Sequence, residues 1–213
     1  MRLRITFAKT EAMRFTSHLD LHKTWERTLR RAGLPLAYTQ GFSPHPRINL
    51  ASALPLGFTG ENEVIDIHLE KELSLDEVGA VLQQAAPPGI HIETIEIVDP
   101  RAPNLQAELE AQDYIITLLD DFPNLDDKLS SLLAAPSLPR TRHDKEYDLR
   151  PLILEIQRLS DDEVGHARFS ARLASLPGAT GRPEEVLEAL GYSPTAARVH
   201  RNRLVFRQSV TNP

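Results

Sequence analysis

The chain contains no cysteine, and that absence removes several kinds of chemistry. A protein without cysteine forms no disulfide, offers no thiolate nucleophile and holds no cysteine-ligated iron–sulfur cluster. No apolar run is long enough to span a bilayer, and the first residues alternate like a strand where a signal peptide has a continuous apolar segment. We therefore expect a soluble cytoplasmic protein with no membrane partner.

Motifs for nucleotide binding and acyl transfer are missing as well. The sequence has no Gly-x-Gly-x-x-Gly fingerprint, no Gly-Lys-Thr or Gly-Lys-Ser phosphate loop and no Gly-x-Ser-x-Gly elbow. Aromatic residues account for only 6% of the chain, so few side chains are available for base stacking. These absences leave the distribution of charge as the main functional signal.

Positive charge is concentrated near the start of an acidic protein. Residues 1–50 carry nine Lys/Arg and three Asp/Glu, whereas the rest of the chain carries fifteen and twenty-seven, for an overall net charge of −6. A local cationic cluster can bind a polyanion even when the whole chain is acidic. The alternative is that the first helix merely has a solvated basic side.

The first half of the sequence predicts the order β-α-β-β-α-β. Residues 2–8 alternate as a strand, and Ser17 with Asp20 gives a capping-box-like start to a helix over about 18–32. Short apolar or alternating runs and a second cap at Ser74 predict strands at 34–39, 63–69 and 90–98 and a helix at 75–86. Residues 47–51 are a candidate for one additional short strand. This order is typical of the ferredoxin-like split βαβ unit.

The second half follows the same order after a proline-containing segment, 99–104, which we interpret as a linker. The patterns predict strands at 111–119, 152–159, 167–176 and 198–207, helices at 124–134 and 182–190, and an irregular or edge-strand segment at 141–148. The predicted fold class is α+β, with two ferredoxin-like halves that each have an antiparallel sheet and helices on one face. The predicted domains are 1–99 and 105–213.

Most candidate binding residues lie between positions 14 and 50. RNA binding needs cations for phosphates and exposed flat groups for bases. The predicted RNA- or ligand-binding set combines such cations and flat groups with residues at the ends of elements and basic residues of the last strand. Its members are Arg14, Ser17, His18, Lys23, Arg27, Arg31, Gln40, Phe42, Ser43, His45, Arg47, Arg201 and Arg203. Tyr38, Arg198, His200 and Arg207 are further candidates of the same kinds.

His18 is the candidate catalytic residue. A histidine at a helix start feels the positive end of the dipole, which favours the neutral imidazole that can take a proton from a ribose 2′-hydroxyl. Ser17, His45 and Arg47 are its candidate neighbours. His18 and His22 also have the spacing of two metal ligands on one helix face, but without a fixed third ligand we predict no metal site. The alternative for both histidines is a surface or capping role.

Three segments carry a more specific pattern within residues 2–70. They are Arg14-Phe-Thr-Ser-His-Leu-Asp-Leu, the stretch from Trp25-Glu-Arg to Gln-Gly-Phe-Ser-Pro-His-Pro-Arg-Ile48, and Ala53-Leu-Pro-Leu-Gly. This combination resembles the family of radical SAM-linked proteins, whose members are fused to or encoded beside a cobalamin-binding-type radical SAM protein. The resemblance implies a radical SAM protein as partner. It also implies that S-adenosylmethionine and an iron–sulfur cluster are bound by that partner, and that this chain binds no cofactor directly.

The predicted architecture and the position of His18 also resemble the CRISPR repeat-processing endoribonucleases. Those enzymes typically have a glycine-rich loop between the last helix and the last strand. In this chain the corresponding segment, 191–197, contains one glycine, Gly191. This difference argues against the nuclease interpretation.

Three hypotheses of function follow. We favour an accessory or substrate-presenting module for a radical SAM modification enzyme, binding RNA or a ribonucleoprotein and not catalytic on its own. One alternative is a metal-independent endoribonuclease that uses His18. The other is a pure protein–protein adaptor.

Overall fold

The strand at the start of the chain shows how the sequence builds the first sheet. In β1 (Arg2–Lys9) the side chains of Leu3, Ile5 and Phe7 are buried, as the alternation predicts for a strand with one face on a core. The computed structural model describes residues 1–142, 144–176 and 178–207. The chain divides into two compact units, Met1–Glu108 and Leu109–Pro213.

The first unit is a ferredoxin-like split βαβ unit. After β1, its elements are α1 (His18–Arg31), β2 (Ile48–Leu50), β3 (Phe58–His68), α2 (Leu75–Ala85), β4 (Ile90–Val98) and α3 (Leu105–Glu108). Strand β1 lies between β3 and β4, β2 pairs with the other edge of β3, and every neighbouring pair is antiparallel. The strand order is therefore 2-3-1-4, which is the order of this fold.

Aromatic packing joins the first sheet to α1. The rings of Phe7 and Trp25 meet edge to face with their centroids 4.8 Å apart. Leu21, Trp25 and Leu29 form the buried stripe of α1 at the helical spacing that the sequence predicts. The charged residues of α1 are consequently left on its outer side.

The ends of the helices follow the predicted caps. The Ser17 hydroxyl accepts the backbone N–H of Asp20 at the start of α1, and Ser74 with Glu77 forms a complete capping box at the start of α2. At the end of α1, Gly33 has a φ of 68° and its N–H bonds to the carbonyl of Arg30, while Leu34 N–H bonds to the carbonyl of Leu29. This is a Schellman motif, and glycine is favoured there because it adopts positive φ without strain.

The face of the first sheet opposite the helices is covered by the chain itself. The Arg2 guanidinium donates to the carbonyls of Ala102 and Pro103 at 2.6 and 2.8 Å, and Leu105 is fully buried. The Gln106 side chain donates to the carbonyl of Leu50 in β2. The segment after β4 thus crosses the face on which many ferredoxin-like proteins bind ligands, and the division between units falls after it, at Glu108.

The second unit repeats the order of the first. Its elements are β5 (Leu109–Leu118), α4 (Leu125–Ala134), β6 (Pro139–Arg142), β7 (Lys145–Asp148), β8 (Ile153–Leu159), β9 (Arg168–Leu176), β10 (Ala179–Thr180), α5 (Pro183–Ala189) and β11 (Ala197–Phe206). Strands β8, β9, β5 and β11 lie side by side in that order, and all neighbours are antiparallel. Strand β10 forms a hairpin with β9, and β6 forms a separate hairpin with β7. The prediction of an α+β protein with two ferredoxin-like halves is confirmed.

Several local predictions differ in detail from the structure. Residues 34–39 form isolated bridges, Leu36 with Leu69 and Tyr38 with Pro46, instead of a strand. Strand β3 begins at Phe58, earlier than expected, because Asn62 has a left-handed φ of 54° that interrupts the alternation. The segment 141–148, predicted as irregular or as an edge strand, takes part in the paired strands β6 and β7, which form a sheet of their own. The residues 99–104 predicted as a linker belong to the first unit.

None of the helices in the described ranges is both long enough and apolar enough to cross a membrane.

Candidate functional site

A buried lysine fixes the segment that leads into α1. Lys9 is fully buried, and its ammonium donates to the carbonyls of Thr16 and Phe58 at 2.9 and 3.0 Å. Arg14 donates to the carbonyl of Gly57 at 2.9 Å, and its guanidinium lies over the ring of Phe15. The start of α1 is therefore held rigidly beside the end of β1, with Arg14 used largely for this structural purpose.

The residues at the helix start are engaged locally. The Ser17 hydroxyl donates to the Asp20 carboxylate at 2.7 Å in addition to its capping bond, and His18 is half-buried. His22 Nδ1 lies 3.3 Å from Glu26 Oε1, which turns this imidazole toward an acidic neighbour on its own helix. Among the residues that the structure describes, no three His, Asp or Glu side chains are grouped closely enough to hold a metal ion.

Two of the predicted cations on α1 are exposed and available to a ligand. Lys23 is exposed with only a 4.0 Å approach to Asp20, and Arg27 is exposed without a hydrogen-bond or ion-pair partner in the described ranges. Arg31 differs, because its guanidinium donates to the carbonyl of Ala85 at the end of α2. The structure therefore favours Lys23 and Arg27 for phosphate contacts and gives Arg31 a role in joining two helices.

The loop that precedes β2 presents an aromatic side chain on a fixed support. Thr39 N–H donates to the carbonyl of His45 at 2.9 Å, and His45 N–H donates to the Thr39 hydroxyl at 3.0 Å. Between these two residues, Phe42 is fully exposed, at 112% of the reference area. The other loop members named by the sequence, Gln40 and Ser43, are exposed beside it.

The loop and the start of α1 lie at opposite ends of the first unit. Lys9, at one end of β1, bonds to Thr16 just before α1. The Arg47 N–H donates to the carbonyl of Ala37, and the Arg47 carbonyl accepts the N–H of His68. His68 pairs with Arg2, which lies at the other end of β1 from Lys9. Seven residues of strand separate these ends by about 23 Å. His45 and Arg47 are therefore not neighbours of His18, and the catalytic arrangement suggested by the sequence does not form around that histidine.

The two arginines predicted in the last strand have different environments. Arg201 is fully buried and donates to Gln112 Oε1 at 2.6 Å, and the Tyr114 hydroxyl donates to the same oxygen at 2.8 Å. Arg203 is exposed and donates to Asp113 at 2.9 Å. A register shift at Asn202 separates the two, so only Arg203 is placed to meet a ligand.

Arg203 belongs to a cationic sheet face for which the sequence pattern pointed to the residues of the last strand but not to those of β9. Arg172 on β9 donates two hydrogen bonds to the Asp113 carboxylate, at 2.7 and 3.0 Å. Arg203 on β11 donates to the same carboxylate from the strand on the other side of β5. Although partial burial would raise the pKa of Asp113, the bonds from Arg172 and Arg203 hold it below its ordinary value. The signal was present in the sequence, because Arg168, Ser170 and Arg172 alternate with apolar residues in β9.

Fold and surface together define a two-unit α+β protein with exposed cations on α1, on the loop before β2 and on one face of the second sheet. The chain belongs to the family described as "Uncharacterized protein conserved in bacteria (DUF2344)", whose model matches residues 2–183. None of the curated proteins matches the sequence.

Solved structures give a further comparison for the fold. The chain is similar to one in a crystal structure of a Cbf5–Nop10–Gar1 complex, with 10% identity and a TM-score of 0.53 over 97% of this chain and 50% of the other. It is also similar to one in the structure of an H/ACA RNP bound to a substrate RNA containing 2′-deoxyuridine, with 10% identity and a TM-score of 0.50 over 97% and 49%. This chain thus spans about half the length of those it matches.

Proposed function

We propose that this protein is an accessory or substrate-presenting module that binds RNA or a ribonucleoprotein for a radical SAM modification enzyme. The observation that carries the proposal is the fixed loop that holds Phe42 entirely outside the protein surface. A fully exposed aromatic ring on an ordered support gains a large apolar contact when it stacks on a base or enters a pocket of a ribonucleoprotein.

Cations on the same unit support an RNA ligand. Arg47 follows the loop directly and is exposed, and Lys23 and Arg27 are exposed on α1. Phosphate contacts from such side chains supply most of the sequence-independent affinity for nucleic acid. The similar solved chains come from a Cbf5–Nop10–Gar1 complex and from an H/ACA RNP bound to a substrate RNA, which motivates an RNA or ribonucleoprotein ligand here.

The radical SAM partner is the part of the proposal that rests on the sequence resemblance. In this scheme the partner binds S-adenosylmethionine and ligates the iron–sulfur cluster, since this chain has no cysteine to ligate one. The module described here then supplies substrate binding and leaves the chemistry to the enzyme.

The direct test is RNA binding measured by fluorescence anisotropy across a salt titration. The variants are Lys23→Glu/Arg27→Glu for phosphate contacts and Phe42→Ala for stacking, with Lys71→Glu as a control at another exposed lysine of the same unit. Loss of two phosphate contacts should lower the slope of log K against log salt by about 1.4 for single-stranded RNA. Phe42→Ala should weaken binding about fivefold or more at every salt concentration.

Two results would contradict the proposal. One is a wild-type protein that binds neither single-stranded nor structured RNA. The other is a set of variants that all bind as tightly as the Lys71→Glu control.

A protein–protein adaptor is the second candidate, and an exposed apolar patch favours it. Phe15, Leu19 and Leu56 are 77%, 70% and 59% exposed, which is unusual for large apolar side chains. The adaptor interpretation predicts that the radical SAM partner co-purifies after nuclease treatment. It also predicts that Phe15→Ser/Leu19→Ser abolishes this association, whereas Lys23→Glu/Arg27→Glu leaves it intact.

A further inference from the structure

We propose that the second sheet carries a separate binding platform for single-stranded RNA. The platform is the face opposite α4 and α5, which we call the arginine face. Its residues on the three strands β11, β5 and β9 are Arg198, His200, Arg203, Asp113, Ile115, Thr117, Arg168, Ser170 and Arg172. The inference rests on the proposed function only in taking RNA as the ligand, since none of these residues lies on the first unit.

Burial separates the two faces of this sheet cleanly. On β5 the residues that face the core, from Gln112 to Leu118 at every second position, are each no more than 4% exposed. The alternate residues Asp113, Ile115 and Thr117 are all half-buried, and no member of the arginine face is buried. In contrast with the first sheet, whose outer face is crossed by residues 99–108, the described part of the chain leaves the side chains of this face partly or fully exposed.

The strand register arranges the arginine face in three rows. Arg198, Thr117 and Arg168 are directly paired across β11, β5 and β9 in the first row. His200, Ile115 and Ser170 form the second row, and Arg203, Asp113 and Arg172 form the third. Successive rows are about 7 Å apart, so two arginine rows flank a neutral row at a separation of about 13 Å.

The charge of this surface suits a polyanion. Its four arginines face one carboxylate, Asp113, and a second acidic residue, Glu155, pairs with Arg172 from the edge strand β8 at 3.7 Å. Asp113 already holds Arg172 and Arg203 in fixed positions through three hydrogen bonds. Their remaining N–H groups are therefore directed in advance, which reduces the entropy lost when they contact a phosphate.

The neutral row indicates which form of RNA fits. The imidazole of His200 and the apolar side chain of Ile115 form a surface on which a base can stack. The phosphates on either side of that base are then bound by the two arginine rows. A duplex keeps its bases inside the stack, so only a single strand can contact the neutral row and both arginine rows together. A depression of about 200 Å³ among Asp113, Glu155, Ser170 and Arg172 adds room beside the third row.

The test compares short RNAs on the full-length protein by anisotropy and salt titration. The probes are a single-stranded uridine octamer and a duplex of the same length. The face variant is Arg198→Ser/Arg203→Ser, and Lys145→Ser is the matched control at an exposed lysine of the same unit. We expect the face variant to lower the salt slope for the single strand by about 1.4, and His200→Ala to weaken binding about fivefold or more.

The outcomes separate this inference from the proposed function. If the face variant binds the octamer like the wild type while Lys23→Glu/Arg27→Glu loses binding, the arginine face is not an RNA platform and the proposed function stands. If the wild type binds no RNA, both are overturned. Equal or tighter binding of the duplex overturns the assignment to single strands. Displacement of the octamer by a poly-glutamate peptide at equal charge would instead assign this face to acidic protein segments. Thermal melts of each variant establish that the loss comes from contact and not from unfolding.

Discussion

Arg201 and Arg203 are two residues apart on β11, yet they lie on opposite faces of the same sheet. Arg201 pairs with Tyr114 and points to the core, whereas Arg203 pairs with Asp113 on the outer face. In a regular strand residues i and i+2 share a face, and the bulge at Asn202 is what separates them. The two arginines therefore differ in what they contribute, one to stability and the other to the arginine face.

Their alanine variants should separate these contributions. Arg201→Ala removes the donor bound to Gln112, and we expect it to lower the free energy of unfolding by about 1–3 kcal/mol. Arg203→Ala removes an exposed ion pair whose partner Asp113 keeps Arg172, so we expect less than about 1 kcal/mol. Urea unfolding measures both values. Equal costs for the two variants would contradict the assignment of opposite faces.

Asp66 is expected to be a costly carboxylate to remove from the first unit. It is buried, and it accepts hydrogen bonds from Arg2 at 2.6 Å and from Arg4 at 2.9 Å. Asp66→Ala leaves Arg2 as an uncompensated buried charge, which predicts a loss of about 3–5 kcal/mol in urea unfolding. Glu96→Ala, at an exposed position of β4, is the control and should cost less than about 1 kcal/mol.

The same substitution has a second readout. Arg2 also holds the carbonyls of Ala102 and Pro103, so its displacement should release the segment that covers the first sheet. Limited trypsin digestion should then cleave after Arg101 faster in Asp66→Ala than in the wild type. An unchanged cleavage rate would show that the segment is held by other contacts.

Asp113 should make part of the stability of the second unit dependent on acid pH. The pKa of Asp113 in the folded protein is below its unfolded value of about 3.9, despite partial burial, because Arg172 and Arg203 bond to the carboxylate. The ionised Asp113 carboxylate therefore contributes its full share to the free energy of unfolding above the unfolded pKa. That contribution is lost as the pH falls through the lower pKa of the folded protein. Unfolding measured between neutral and strongly acidic pH should show the wild type and Asp113→Asn converging as the pH falls. A constant difference would contradict the prediction.

Tyr147 should ionise only at strongly alkaline pH. Burial, followed by the neighbouring Glu185 carboxylate, raises the pKa of Tyr147 to about 12. The neutral phenol therefore stabilises the fold fully below the unfolded pKa of about 10, and this contribution is lost as the pH rises toward 12. Tyrosinate absorbance should lose its highest step in Tyr147→Phe, and Glu185→Gln should move that step to lower pH. A step that does not move in Glu185→Gln would assign the shift to burial alone.

Local sequence signals determined much of this structure. The alternation of Leu3, Ile5 and Phe7 predicted β1, and Ser17 and Ser74 correctly marked the starts of α1 and α2. These signals work because strand alternation and helix capping depend on residues within one turn or one pleat of each other. The order of elements they gave is enough to identify two ferredoxin-like halves.

The availability of each candidate site depended on contacts between distant residues. One bulged residue, Asn202, decides which of Arg201 and Arg203 reaches solvent. The bulge arises because β11 pairs with β5, which lies about ninety positions earlier in the chain. Likewise, the carbonyls of Ala102 and Pro103 bind the Arg2 guanidinium across the first sheet, which covers a face that the pattern alone leaves open. The sequence by itself determined most of the elements and their order. Only the tertiary structure decided which sheet face and which arginines remain exposed, because register and coverage depend on partners that no local pattern contains.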